Sequence, residues 1–236
     1  RATITLFRIK EPFIDGFGGV IAATDYEAIV CAYPAGGNAP VSKDAETLIV
    51  DPDTGDMYVI LKRDTVQKVY SLAYAASYTG TQTLVYEGAM TSIPSVTVTA
   101  LGAQQCFAVG GCISTDGQSL LIKNYNDVYY FPRNKATQTI MQALQQPLIL
   151  VPAYVGGGSD TPKKSHPNAE PQGEAICFDI FGFDFFTASE YVAADGSTAT
   201  RYPLFKYSRA PGDVITTAFQ DGVSPTLSYE GTRDTY

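Results

Sequence analysis

A short strand followed by a tight turn containing Asp or Gly recurs along this chain. Glu46-Thr-Leu-Ile-Val-Asp and Glu174-Ala-Ile-Cys-Phe-Asp share a Glu, a small residue, an aliphatic residue and a final Asp in the same order. Cys112-Ile-Ser-Thr-Asp-Gly is a weaker middle copy, with Cys112 near the Glu position. The copies begin 62 to 66 residues apart. Sheets of about four strands that recur every ~40 to 65 residues are typical of radial β-propellers. The repeat therefore predicts an all-β propeller, because a jelly roll or sandwich does not need the opening strand to recur.

Short β segments separated by turns account for most of the chain. Glu46–Val50 is almost continuously apolar, which predicts a strand buried on both faces. The Pro, Asp and Gly residues of 51–56 then form a tight turn. One short amphipathic helix is predicted at Thr137–Gln146. The other predicted strands are Thr3–Ile9, Glu27–Tyr33, Met57–Lys62, Gln67–Ala73, Gln82–Glu87, Cys106–Ser114, Ser119–Asn124, Val128–Phe131, Leu148–Val151, Phe185–Ser189 and Pro203–Tyr207.

The domain organisation predicted from this pattern has two parts. Residues 1–209 form the partial propeller, and residues 210–236 form a C-terminal hairpin or tail that closes the ring or contacts a neighbour. In that tail, Val214–Phe219 and Thr226–Tyr229 are the expected strands. The chain opens with Arg1 in a strand, without Met, so we expect a processed product or an incomplete N-terminal part.

The net charge of the chain limits the classes of partner that we expect it to bind. Its 236 residues carry a formal net charge of −8. Nucleic acid is not an expected partner, because phosphates are bound by clustered Lys and Arg. Anionic membrane surfaces are disfavoured for the same reason. No apolar run of about 18 residues is present, so membrane insertion through a helix is not expected.

The four cysteines allow two interpretations. Cys106 and Cys112 would lie about 20 Å apart in a straight strand, too far to bond. The Gly-Gly pair between them can fold the segment, so a Cys106–Cys112 disulfide and two free thiols both stay open. Cys31 and Cys177 lie in apolar strands, where buried free thiols are expected.

Glu46 and Glu174 are the candidate metal ligands. Each begins an innermost strand, and innermost strands line the central channel of a propeller. Carboxylates there, together with backbone carbonyls, can bind Ca²⁺, which takes six to eight oxygen ligands. The alternative is that each Glu caps backbone N–H groups at the channel mouth. The carboxylates of 51–56 fit turn chemistry better than an EF-hand, since the spaced ligands and terminal Glu are lacking.

Several segments resemble a family of secreted, largely uncharacterised β-propeller proteins of the WD40-like or TolB-like type. The clearest is Asp44-Ala-Glu-Thr-Leu-Ile-Val-Asp-Pro-Asp-Thr-Gly-Asp-Met-Tyr-Val-Ile-Leu-Lys-Arg. Three others follow the family order: Ile4-Thr-Leu-Phe-Arg-Ile-Lys-Glu-Pro, Ile113-Ser-Thr-Asp-Gly with Lys123-Asn-Tyr-Asn-Asp-Val-Tyr-Tyr, and Gln172-Gly-Glu-Ala-Ile. Together they span roughly residues 1–208. Cys112 departs from the family, where an acid is usual, and the tail after Arg209 has no match.

The resemblance implies an extracellular protein with roughly three and a half blades of a five- or six-bladed ring. Similar proteins carry at least one further blade before the first of these strands. We therefore expect a missing N-terminal part or a second chain to complete the ring, with a homo-oligomer or filament as further alternatives, because unpaired sheet edges recruit other strands.

Two functions are compatible with these observations. The first is a non-enzymatic binding or structural scaffold in the extracellular space, with Ca²⁺ as the candidate ligand and with a larger assembly as its setting. The second is a metal-dependent propeller hydrolase of the phosphoesterase or lactonase type. The hydrolase would need carboxylates together with His or Lys around the channel, and His166 is the only His of the chain.

Overall fold

The protein is all-β with one short α-helix. The computed structural model describes residues 3–10, 22, 24–40, 44–64, 66–92, 108–151, 170, 173–189, 192–193, 199–200, 204–208 and 232–235. Three antiparallel sheets of four strands and one sheet of three strands make up most of this part of the chain. The sheets form no closed ring among the described residues, so the structure supports the all-β prediction, and the propeller ring stays a prediction.

Each four-stranded sheet begins with the strand that contains Glu46, Cys112 or Glu174 of the sequence repeat. The first three strands of each sheet follow in chain order. The second sheet is β3-β4-β5-β7, the third is β8-β9-β10-β11 and the fourth is β12-β13-β16-β17. Their bounds are β3 Ala45–Val50, β4 Met57–Leu61, β5 Gln67–Leu72, β7 Val85–Met90, β8 Gly110–Ile113, β9 Ser119–Lys123, β10 Val128–Pro132, β11 Ile149–Leu150, β12 Gly173–Phe178, β13 Phe185–Ser189, β16 Phe205–Ser208 and β17 Thr232–Thr235.

The first sheet has a different topology. β1 (Thr3–Ile9) pairs antiparallel with β2 (Tyr26–Ala32), and β2 pairs in parallel with the short β6 (Gln82–Thr83). The predicted strand Gln82–Glu87 is therefore divided: Leu84 donates its N–H to Ala32 at 2.8 Å, and β7 then joins the second sheet. A small hairpin of β14 (Val192–Ala193) and β15 (Ala199–Thr200) completes the strands.

The turns between the first two strands of the four-stranded sheets share one geometry. In each turn the first residue donates its N–H to the carbonyl five residues later, at 2.9 Å for Asp51, 2.8 Å for Ser114 and 2.8 Å for Asp179. Each turn also has a glycine with positive φ: Gly55 (78°), Gly117 (73°) and Gly182 (73°). Left-handed backbone of this kind is accessible to glycine without steric cost. The sequence repeat is therefore a structural repeat.

This geometry corrects the alignment of the middle copy. Glu46 and Glu174 each lie five residues before the first residue of their turns, Asp51 and Asp179. The same position before Ser114 is occupied by the buried Val109, not by Cys112. The glycine of the turn does not identify this position, because Gly55 is the fifth residue of its turn and Gly117 and Gly182 are the fourth of theirs.

The four sheets pack face against face in chain order. One core joins the first and second sheets through residues such as Ile29 and Leu72, and another joins the third and fourth through Leu121 and Phe185. Between the second and third sheets, Ile60 packs with Ile122 and with α1 (Ile140–Leu144). The central strands β4, β5, β9 and β10 are thus buried on nearly every residue. The prediction that Glu46–Val50 is buried on both faces is wrong, because only one side of β3 is covered and Leu48 and Val50 are 43% and 46% exposed.

The first strands of the three four-stranded sheets are neighbours. β8 lies between β3 and β12. The approach is so close that a Cβ atom on Gly110 would come within 2.2 Å of the Glu174 carbonyl oxygen. One on Gly111 would come within 2.8 Å of Thr47 Cγ2. Glycine at these two positions lets β8 pack against both neighbours.

The helix is shorter than the predicted Thr137–Gln146. Thr139 forms a capping box with Gln142: its side chain accepts from the Gln142 N–H, and the Gln142 side chain accepts from the Thr139 N–H. These bonds satisfy donors that a helix start leaves without partners. The predicted strands Val214–Phe219 and Thr226–Tyr229 lie outside the described residues. β17, which joins the fourth sheet, was not predicted.

Candidate functional site

The two predicted site residues, Glu46 and Glu174, meet at one end of the first strands. Glu46 is the second residue of β3 and Glu174 is the second residue of β12. Lys62, directly after β4, and Tyr125, in the turn between β9 and β10, complete the group. We call these four residues the Lys62 cluster. It joins residues of the second, third and fourth sheets.

Lys62 is the centre of the cluster. Its Nζ donates to Glu46 Oε1 at 2.7 Å and lies 2.6 Å from Glu46 Oε2. It also donates to Tyr125 Oη at 2.7 Å and lies 3.5 Å from Glu174 Oε1. Tyr125 in turn donates its hydroxyl proton to Glu174 Oε1 at 2.5 Å. Each carboxylate therefore has a hydrogen-bond donor within the cluster.

The members of the cluster differ in burial: the lysine is buried and the two glutamates are partly exposed. The Lys62 side chain is only 6% exposed, whereas those of Glu46 and Glu174 are 23% and 26% exposed. Burial raises the pKa of Glu46, while the hydrogen bond and charge of Lys62 lower it and the Glu174 carboxylate raises it. The ammonium group is therefore what keeps two acids close together in a partly desolvated place.

The turn that carries Tyr125 is rigidly held. Asn124 Oδ1 accepts the N–H groups of Asn126 at 2.7 Å and Asp127 at 2.6 Å. The Asn124 N–H donates to the Asp127 carbonyl at 2.9 Å, and its Nδ2 donates to Tyr129 Oη at 3.1 Å. Asn is suited to such turns because its side chain reaches the backbone two and three residues ahead.

A second buried lysine, Lys123, joins the third sheet to the fourth. Its Nζ donates to the carbonyls of Gly173 at 2.6 Å and Asn124 at 3.0 Å. Burial lowers the pKa of Lys123 to about 7, against the raising influence of the Glu170, Glu174 and Asp127 carboxylates. Gly173 makes the approach possible, because a Cβ atom there would lie 2.8 Å from Lys123 Nζ.

The fully buried Glu170 lies beside this lysine. Its Oε1 accepts the hydroxyls of Thr187 at 2.6 Å and Tyr207 at 2.5 Å. A Cβ atom on Gly173 would lie 3.1 Å from Glu170 Oε2 and 2.8 Å from Lys123 Nζ, so the two charged groups flank the same glycine. Sequence reasoning missed both residues. The only local signal was the position of Lys123 at the end of the apolar strand β9.

The Lys62 cluster has the carboxylates that a calcium site needs, but an ammonium group lies between them. Within the described ranges, no group of three or more His, Cys, Asp and Glu side chains is arranged to hold a metal ion. A Ca²⁺ ion at Glu46 and Glu174 would have to displace Lys62 Nζ or bind on the exposed side of the carboxylates. The metal site stays a prediction.

The Asp residues of the first turn serve its structure. Asp51 Oδ1 accepts the Asp53 N–H at 3.0 Å, and Asp51 Oδ2 binds Arg133 Nη1 at 3.1 Å. Arg133 Nη1 also donates to the Gly117 carbonyl at 3.3 Å, so it links the first turn to the second. These contacts agree with the turn interpretation of the sequence.

The cysteines offer no reactive thiolate in the described part of the chain. Cys106 lies outside it, so the Cys106–Cys112 disulfide stays a prediction. Among the described cysteines, Cys31, Cys112 and Cys177 form no disulfide with one another; Cys31 is buried as expected, whereas Cys177 is exposed. Burial raises the pKa of all three. Thiols of raised pKa are poor nucleophiles at neutral pH. His166 lies outside the described residues.

Comparisons with known proteins leave the chain without a family. No protein-family model matches it, and no curated protein matches it either. A luciferin-regenerating enzyme is similar in structure at a TM-score of 0.39 and 14% identity, over 75% of this chain and 45% of that one. A functionally unknown protein from Desulfotomaculum acetoxidans is similar at a TM-score of 0.31 and 9% identity, over 72% and 53%. The chain thus spans about half the length of these proteins, and TM-scores below 0.5 support no functional statement.

In the described part of the chain, no helix is both long and apolar enough to span a bilayer.

Proposed function

We propose that this chain is a non-enzymatic binding or structural module that acts outside the cell as part of a β-propeller. The observation that carries the proposal is the arrangement of its sheets. Four sheets stack in chain order, and the first strands β3, β8 and β12 lie side by side. Sheets that radiate from adjacent inner strands are the arrangement of propeller blades. The extracellular setting rests on the family resemblance of the sequence.

The chemistry of the Lys62 cluster supports a non-enzymatic role. An enzyme keeps a nucleophile or base free to reach its substrate. Here Lys62 Nζ is held by Glu46 and Tyr125, and Tyr125 is held by Glu174. The cluster connects three sheets, so its first role in this proposal is to fix the inner strands relative to one another.

The exposed sides of the Glu46 and Glu174 carboxylates form the candidate Ca²⁺ site of the module. Glu46 and Glu174 are each about a quarter exposed, and their oxygens are hard donors of the type that Ca²⁺ prefers. In this proposal Ca²⁺ binds at the accessible edge of the cluster, and backbone carbonyls and water supply the remaining ligands.

Enzyme assays with matched variants test the proposal. Phosphoester and lactone substrates are offered to the wild-type chain, Glu46→Gln and Glu174→Gln, with Ca²⁺ and with chelator. Asp53→Asn, in an exposed turn, is the control. We expect no turnover by any of them. Ca²⁺-dependent turnover that is lost in Glu46→Gln but kept in Asp53→Asn would contradict the non-enzymatic proposal and favour the hydrolase.

The thermal midpoint of the same proteins tests the ligand. We expect Ca²⁺ to raise the midpoint of the wild-type chain and of Asp53→Asn, since a ligand stabilises the state that binds it. The shift should be absent in Glu46→Gln and Glu174→Gln. A wild-type chain that shows no shift would remove Ca²⁺ from the proposal and leave the cluster as an ionic tie between sheets.

A further inference from the structure

The first sheet has a long strand with a free edge. β1 lies at one end of the sheet order β1-β2-β6, and among the described residues it pairs with β2 alone. With seven residues, it is the longest strand at the edge of a sheet in the described ranges. A strand edge with unpaired N–H and C=O groups is a template for pairing with a further strand.

The register of β1 and β2 identifies the backbone groups on that edge. Lys10 donates its N–H to the Asp25 carbonyl at 3.3 Å, directly beyond the pair of Ile9 and Tyr26. Hydrogen-bonded and non-hydrogen-bonded pairs alternate along an antiparallel ladder, so the even-numbered residues of β1 bond to β2. The groups that point to the free edge are therefore the N–H and C=O groups of Thr3, Thr5, Phe7 and Ile9.

The other edge of β2 agrees with this assignment. Ala32 pairs with Thr3, which makes it a member of a non-hydrogen-bonded pair. Its carbonyl should therefore point away from β1, and it accepts the Leu84 N–H at 2.8 Å on the side of β6. The same alternation thus holds on both sides of β2.

Beside the free edge, part of the second sheet is left uncovered. Ile4 and Leu6 of β1 share a core with Met57 of β4. Val50 of β3 pairs with Met57, so its side chain lies on the same face, as does that of Leu48 two residues earlier. These two side chains are 46% and 43% exposed. The cover that the first sheet provides therefore ends before β3.

The opposite face of β3 shows what a further strand does. Thr47 and Ile49 point to the third sheet and are only 2% and 1% exposed. β8 lies beside them, so close that a Cβ atom on its Gly111 would come within 2.8 Å of Thr47 Cγ2. No described strand of the first sheet packs on β3 in this way. One face of β3 has a neighbouring strand and the other face lacks it.

We infer that polypeptide from outside these 236 residues adds to β1 as an antiparallel strand and covers Leu48 and Val50. The added strand continues two contacts that the chain already makes: the ladder of β1 and β2, and the core between the first and second sheets. Its residues opposite Thr5 and Phe7 bond to β1 through their backbones. Those opposite Leu6 point inward and are apolar. Main-chain bonds supply affinity in such additions, and alternate side chains supply specificity.

This strand addition rests on the proposed function, because it assigns the place at which the remainder of a propeller joins the chain. The net charge of −8 disfavours a second copy as the occupant. The same charge favours a strand that carries Lys or Arg at its solvent-exposed positions. The expected partner is thus an extended, basic segment with apolar residues at alternate positions.

Binding of a synthetic strand tests the inference. The probe is a fluorescein-labelled peptide that alternates Thr with Val between two terminal Lys residues, and fluorescence anisotropy measures its affinity for the 236-residue chain. Thr5→Pro removes an N–H from the free edge, where proline is tolerated because that N–H does not bond to β2. Leu48→Thr with Val50→Thr removes the apolar surface. Val85→Thr, at a 58% exposed residue of β7, is the control. Circular dichroism confirms that each variant is folded.

Two N-methylated peptides test the direction of the backbone bonds. The Val side chains of the probe should face Leu48 and Val50, so the Thr N–H groups should point to β1. Methylation of every Thr N–H should abolish binding. Methylation of every Val N–H should preserve it, because those groups point away from β1.

We expect the wild-type chain and Val85→Thr to bind the probe equally, and Thr5→Pro and the double variant of β3 to bind it at least about tenfold more weakly. In NMR exchange measurements, the amides of Thr5 and Phe7 should exchange fast in the free chain and slowly in the complex.

Four results would each overturn the inference. They are no binding at about 1 mM probe, normal binding by Thr5→Pro, normal binding of the peptide with methylated Thr, and slow exchange of Thr5 and Phe7 in the free chain. The last result would mean that this chain or a second copy already covers the edge. Hydrolase activity in the assays above would contradict the proposed function without changing the binding of the probe.

Discussion

The third sheet and the first sheet of the stack show what neighbours do to a strand. In the third sheet every residue of β9 and β10 is buried, because the second sheet covers one face and the fourth sheet covers the other. In the first sheet, buried and exposed residues alternate along β2, and the side of β1 and β2 that faces away from the second sheet is exposed at Phe7 and Val30. The continuous apolar strands β9 and β10 therefore lie between two covering sheets, and the alternating strand β2 lies at the end of the stack. An apolar sequence alone does not decide this, because β3 is equally apolar and still exposes Leu48 and Val50.

The largest difference between the third and first sheets should be the loss of stability when a side chain is truncated. Leu121 and Ile122 are consecutive in β9 and enter different cores, one on each face of the third sheet. We expect Leu121→Ala and Ile122→Ala each to lower the free energy of unfolding by about 3–4 kcal/mol. Phe7→Ala, on the exposed side of the first sheet, should change it by no more than about 0.5 kcal/mol. Urea denaturation measures all three, and equal losses would contradict the stack.

The next prediction concerns the contact between the third and fourth sheets. A methyl group on Gly110 would meet the Glu174 carbonyl oxygen at 2.2 Å, and backbone atoms cannot move aside as a side chain can. Gly110→Ala should therefore cost about 3 kcal/mol of stability. Gly37→Ala is the matched control, since no atom lies within 4 Å of the added Cβ. If thermal denaturation shows the two variants to be alike, β8 does not lie against β12.

The Lys62 cluster should contribute somewhat less than the cores. Lys62→Met would leave Glu46 and Glu174 close together without a cation. We expect a loss of about 2 kcal/mol, below the ~3–5 kcal/mol of a fully buried pair because both acids are partly exposed. Arg63→Met is the control, because Arg63 pairs with Asp44 at the surface and should cost no more than about 1 kcal/mol. Denaturant titrations that rank Arg63→Met above Lys62→Met would refute the role of the cluster.

The last prediction is a pH dependence from Lys123 in the interior of the stack, whose effect is small per pH unit because it is spread over several units. Its pKa is about 7 in the folded protein and near its ordinary 10.5 in the unfolded chain. Between these values the unfolded chain binds the extra proton, so stability should rise with pH, by at most about 1.4 kcal/mol per unit. Below pH 7 this contribution is constant. Lys123→Met should flatten the rise between pH 7 and 10.5, and an unchanged slope would show that Lys123 is not the titrating group.

Much of the secondary structure could be predicted because its causes are local. β1 was predicted with its observed bounds, as was β13, and the turns follow from Pro, Asp and Gly at fixed places. The division of Gln82–Glu87 into β6 and β7 could not be predicted. Leu84 leaves one sheet for another, and the reason is a hydrogen bond to the distant Ala32.

The sequence predicted two of the four residues of the Lys62 cluster. The repeat identified Glu46 and Glu174, since both stand at the same place in the strand that opens a sheet. Lys62 and Tyr125 were missed, because their approach depends on how separate sheets stack and no spacing in the sequence encodes it. The burial of Lys123 has the same origin, since the fourth sheet, through Gly173, covers it.

A single tryptophan tests the central claim, which is that the stack has a covered interior and an open end. The chain has no Trp, so Phe7→Trp and Phe131→Trp each carry one reporter. Phe131 is fully buried, whereas Phe7 is 64% exposed. In dilute solution we expect acrylamide to quench Phe7→Trp strongly and Phe131→Trp weakly. Equal quenching of the two folded variants would contradict the account.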